Sequence, residues 1–273
     1  MLKFLNLLFR DFYRIFIRCV IFLIAATVAS SLTIYVWRDE FAVNFTAQTI
    51  YKMHAMRYCT AGIWAMLLIF AAFMTAVKAA QWYGEDVLTN RSYLNHMLPV
   101  YTCELVISKA AAGLLALFCM AAVLTYEAFL VVEHISVLNE MLAMLPDLTT
   151  SEGVFVDIPM FVKLSLYFLF MLCMLIMSTG FLSQTLGQFA LRGFSRNMLI
   201  LIGFFALIFV SVGVLLSILS SNGISVDLSI LKDLQRLVDT AEKVLKLISN
   251  TNLGLSIAYI TGASLLLTYR LNV

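Results

Sequence analysis

Apolar runs interrupted by short polar stretches are the dominant pattern of this chain. Uncharged intervals cover 19–37, 58–77, 110–126, 164–191, 197–226 and 247–269. A helix needs about 20 apolar residues to span the bilayer core, and lipid offers no partner to open backbone groups, so each interval predicts one transmembrane helix. The six expected spans run about 15–37, 59–82, 104–132, 160–190, 197–220 and 252–270. Three amphipathic stretches lie outside them. In 1–14, Lys3, Asn6, Arg10 and Arg14 recur at three- and four-residue steps while Leu2, Leu5, Leu8, Phe9 and Phe12 fill the other side. That spacing predicts a helix in the membrane interface or a simple extension of the first span. In 227–250, Leu231, Leu234, Val238, Ala241, Leu245 and Ile248 keep the same period, and Asp239 with Lys243 and Glu242 with Lys246 add four-residue acid-to-base pairs. The third stretch, 84–98, is a polar island between the second and third spans and ends at Pro99.

Composition places these helices in one class. The 273 residues are 62% hydrophobic and only 12% charged, with a mean hydropathy of +0.96, against roughly 25% charged residues in soluble domains. The expected fold is all-α and integral to the membrane, as a single transmembrane domain over 1–273. With the N-terminus inside, ten Lys and Arg fall on the cytoplasmic side and eight outside, four of those eight in 227–250. This balance favours cytoplasmic N- and C-termini. The five cysteines lack paired spacing and read as small packing residues. His54, His96 and His134 are scattered and form no metal motif.

Charged and polar residues within the spans are the candidates for chemistry. Lys109, near the inner end of the third span, is expected to snorkel to the interface on its apolar stem. Glu127, near the outer end, either lines a polar cavity or is wetted because the span stops earlier. The segment 133–157 carries Glu133, Glu140, Asp147, Glu152 and Asp157 without one Lys or Arg. It either attracts a cationic substrate or is a solvated loop. Ser183, Gln184 and Gln188, with Ser178, Thr179, Gly180 and Gly187, mark the inner half of the fourth span for close helix packing or for a translocation path.

The stretch 83–100 reads YGEDVLTNRSYLNHMLPV. Its Glu85-Asp86, Ser92-Tyr93-Leu94 and Leu98-Pro99-Val100, followed by Ser108-Lys109, resemble the first cytoplasmic loop of type-two ATP-binding-cassette (ABC) exporter permeases of bacteria. Gly187-Gln188 before a basic turn and the terminal Leu271-Asn272 look like the same group. Ser92 stands where a glycine is usual, and Asn90-Arg91 where an acid is. The resemblance implies a permease subunit in the bacterial cytoplasmic membrane that pairs with a second permease copy, identical or paralogous. It further implies a separate ABC ATPase docked on a coupling helix at 84–98 through Glu85, Asp86, Val87, Arg91, Tyr93, Leu94, Met97 and Leu98. ATP and Mg would sit on that partner, and the cargo would be an amphipathic peptide, lipid-like molecule or drug.

The residues themselves agree in part. Glu85 and Asp86 suit a helix N-terminus, Pro99 forces Leu98 out of helical geometry, and Val87, Leu94, Met97 and Leu98 offer apolar anchors. The chain has no GxxxxGK[ST] phosphate loop and no Ser/His/Asp constellation. No cofactor, catalytic role or nucleic-acid partner is expected of it. Two other readings follow from the same pattern: a membrane immunity or sensor protein that binds a peptide at 227–250 without transport, and an ion-coupled transporter or channel using Glu127 or Lys163.

Overall fold

The computed structural model describes residues 2–37, 50–87, 102–134, 158–187, 195–222 and 234–271. These form six helices: α1 (Leu2–Trp37), α2 (Ile50–Val87), α3 (Thr102–His134), α4 (Ile158–Leu186), α5 (Arg196–Ser221) and α6 (Leu234–Leu271). No strand occurs among the described residues. Each helix contains a window long and apolar enough to cross a membrane. The chain is thus a multi-pass membrane protein, and its outer surface shows it: Phe118, Phe129, Phe205, Phe209 and Leu265 are all more than 60% exposed. Side chains of this kind are stable facing acyl chains, where no hydrophobic cost arises.

The helices differ from the expected elements mainly in where they stop. The expected interfacial helix at 1–14 is continuous with the first span, because neither Gly nor Pro interrupts 2–37. The 36 residues of α1 extend about 54 Å at 1.5 Å each, well beyond the ~30 Å of hydrocarbon. The boundary sought in the sequence is therefore a change of surroundings and not a break in the backbone. The same holds at the other end, where the amphipathic segment expected at 227–250 and the last span form one 38-residue helix from Leu234. Thr251 bonds back to the Leu247 carbonyl across the expected gap. Residues 223–233 lie outside the described ones.

Two compact units emerge, one built of Met1–Ile15, Ala76–Ala116 and Val156–Val273, the other of Phe16–Thr75 and Leu117–Phe155. In the first, α4 is the most enclosed span and packs along α6 and α5. Its small residues allow close approach. A Cβ on Gly180 would stand 2.5 Å from the Ala80 Cβ of α2, and one on Gly113 of α3 would meet Met177 Sδ at 2.5 Å. Tyr83 stacks on Phe181 with ring centroids 4.4 Å apart and shares a 2.9 Å hydrogen bond with Thr185. Ser211 of α5 and Tyr259 of α6 join hydroxyls at 2.8 Å.

In the second unit, Trp37 and Val131 form a small core with Ile34, Ala61 and Trp64 around them. Arg57 ties this end together: its Nε donates to the Val36 carbonyl at 3.3 Å, and its guanidinium lies 5.6 Å from the Trp37 ring centre. The Trp64 indole donates to Ser30 Oγ at 3.0 Å. These bonds satisfy carbonyls and hydroxyls that lipid would leave unpaired.

Candidate functional site

A buried ionic cluster occupies the first unit at the two stems of the polar island. Asp11 of α1 is fully enclosed, Lys109 of α3 is 1% exposed, and Asp86, next to last in α2, is 6% exposed. Lys109 Nζ donates to Asp11 Oδ2 at 2.9 Å and also to Asp86 Oδ2. Arg10 adds a second cation, with Nε donating to Asp11 at 3.3 Å and a guanidinium nitrogen 3.6 Å from Asp86. Two acids and two bases leave the group formally neutral. The Trp82 ring forms one wall, with Lys109 Nζ 5.5 Å and Arg14 Cζ 5.1 Å from its centre. Burial of so many charges is tolerable only when they are paired and hydrogen-bonded.

This arrangement corrects the expectation for Lys109. Its stem does not carry the ammonium to an interface, because two carboxylates meet the charge inside the protein. The sequence reading also missed Asp11. A signal for it was present: Asp11 lies off the Lys3, Asn6, Arg10, Arg14 stripe and on the row of Leu7 and Ile15, both buried, at four-residue steps. An acid on an apolar row needs a cation from another helix, and Lys109 is the base that the third span supplies.

The docking residues named from the resemblance divide. Glu85 is exposed, whereas its neighbour Asp86 is buried and paired with Lys109. Gly84 to Val87 continue α2 without a new helix start. Arg91, Tyr93, Leu94, Met97 and Leu98, and with them most of the expected coupling helix, lie outside the described residues.

The residues proposed for a translocation path fall in different units. Ser183 is enclosed and bonds back to the Gly180 carbonyl at 3.0 Å. Half-buried Gln184 lies against Gly84, where a Cβ would strike its side-chain amide. Both belong to the first unit, where packing accounts for them. Gln188 is outside the described residues. Glu127 belongs to the second unit, where Thr27 Oγ1 donates to its Oε1 at 3.1 Å. Among the described residues no group of three or more His, Cys, Asp and Glu is placed to hold a metal ion. No family model, curated protein or solved structure matches the chain.

Proposed function

We propose that this chain is the permease subunit of an ATP-driven ABC exporter, with a separate ATPase docked on residues 84–98 and a second permease copy completing the membrane pathway. The observation that carries this reading is the cluster of Asp11, Asp86 and Lys109. Asp86 sits at the start of the polar island and Lys109 soon after its end, so the Lys109–Asp86 pair joins the two stems to each other and the Lys109–Asp11 pair joins them to α1. A loop that takes a push from a motor transmits it only if its stems do not yield separately. The Glu85 to Leu98 sequence supplies an acid, aromatic and apolar anchors and a terminating proline for such a docking element. In this reading the chain itself hydrolyses nothing. The partner binds ATP and Mg, and closure of its two copies moves the helices so that an amphipathic molecule leaves the membrane.

Co-purification from the native cell tests the proposal. A nucleotide-binding ATPase should accompany the tagged chain, and Tyr93→Ala with Leu94→Ala should release it while the membrane subunit stays folded. Recovery of the wild-type chain with no ATPase under mild detergent would reject the reading. An ion-coupled transporter is favoured by one observation, the acid Glu127 in a span. It predicts transport by the purified chain alone in vesicles carrying an ion gradient.

A further inference from the structure

Glu127 is a half-buried carboxylate within a candidate membrane span. It lies within the apolar window of α3, one turn, or about 6 Å, before the Trp37–Val131 contact at that end of the second unit. Among the described residues its one hydrogen bond comes from Thr27, whose single hydroxyl proton is shared with the Leu23 carbonyl at 3.0 Å. No cation pairs with it among the described residues, although Asp11 and Asp86, two other acids in candidate spans, are each paired twice. The surroundings are apolar and accessible: Ile24 and Val28 lie beside Thr27 on α1, and Val123 and Tyr126 beside Glu127 on α3, all exposed.

The geometry points to a binding site for amphipathic organic cations, in which Glu127, oriented by Thr27, takes the positive charge and the exposed faces of α1 and α3 receive the apolar body. A carboxylate at this depth is costly unless a positive charge meets it. A hydrophilic cation would stay in water, whereas one with a hydrophobic body concentrates just below the head groups and can reach a carboxylate within a span. The exposed Tyr126 ring is available to the same charge. Under the exporter reading, and resting on it, this makes the cargo class a lipophilic cation, but the site stands on binding alone.

The test uses the purified full chain in nanodiscs of phosphatidylcholine, without any ATPase, titrated with radiolabelled tetraphenylphosphonium. Saturable binding at one per chain is expected. Glu127→Gln, which keeps the Thr27 bond and removes the charge, should weaken it at least about tenfold, and Thr27→Val about threefold. Neutral triphenylphosphine oxide should not compete. The site is overturned by absence of saturable binding, by equal binding to Glu127→Gln, or by equal competition from the neutral compound. It is also overturned if Glu127→Gln dissociates an oligomer seen by light scattering, since the cation would then belong to a second copy. Should Glu127→Gln fail to fold, Thr27→Val and Glu127→Asp decide by the same readout. Failure to recover an ATPase partner would reject the exporter and leave these results untouched.

Discussion

Removing the Lys109 ammonium is the perturbation that most directly tests the buried cluster. Lys109 bonds to both carboxylates, and it is 1% exposed. Lys109→Met keeps the length of the side chain and leaves two acids facing one cation. That cation, Arg10, is 37% exposed and 3.3 Å and 3.6 Å from the two carboxylates, so its attraction is screened by water. Breaking a buried pair by deleting one partner costs about 3–5 kcal/mol. At ~2–4 °C per kcal/mol for a chain of this size, melting should fall by on the order of 10 °C. Asp86→Asn is the discriminating companion, because Lys109 then keeps Asp11 at 2.9 Å and loses only the less enclosed acid. Its cost should stay near 1 kcal/mol. The triple change Asp11→Asn, Asp86→Asn, Lys109→Met removes all the buried charge and should recover much of the loss. Tryptophan emission during thermal unfolding in detergent reads this well, since Trp82 lies against Lys109 and Arg14. A melting point within 3 °C of wild type for Lys109→Met, or equal losses for Lys109→Met and Asp86→Asn, would refute the account of the cluster.

Two further changes probe the packing of α4 by the same melting assay. Gly180→Ala should cost about 1–3 kcal/mol, because the new Cβ meets the Ala80 Cβ, which no rotamer can move; Gly84→Ala, which strikes only the movable end of Gln184, should cost far less, and equal losses would count against close approach of α2 and α4. Tyr83→Phe should cost only about 0.5–1.5 kcal/mol, since it keeps the ring stacked on Phe181 and leaves Thr185 bonded to the Phe181 carbonyl. Tyr83→Ala loses the ring as well and should cost about 3–5 kcal/mol, so similar values for the two would contradict the assigned role of the stack.

The six spans were legible because lipid imposes a coarse rule on sequence: apolar for long enough, and helical throughout. The fifth, expected at 197–220 and found as Arg196–Ser221, is flanked by charges and by Asn222-Gly223, which are local signals. The merging of 1–14 into α1 was not legible, because amphipathic and fully apolar stretches of one helix have identical backbones. Lys109 was misread for a different reason. Snorkelling is a property of one helix and its surroundings, whereas the actual partner, Asp11, lies 98 residues away. Gly180 and Ser183 were left open between packing and a pathway, because their neighbours come from another helix: Ala80 closes over Gly180, and Ser183 is enclosed.

The cluster also changes what the head of the polar island can do. A buried ion pair is a poor source of stability, since apolar residues of similar size hold helices as well or better. What it supplies is direction, because a carboxylate and an ammonium join in few orientations whereas methyl groups slide. Asp86 bound to Lys109 fixes the rotation of the last turn of α2. Adjacent helical residues point about 100° apart, so holding Asp86 inward turns Glu85 to the exposed side, where it is found. If a motor docks on 84–98, Asp86 is a positioning residue and Glu85 the first contact. The two acids, side by side and interchangeable in a sequence motif, then have opposite duties: one holds the stem, and the other meets the partner.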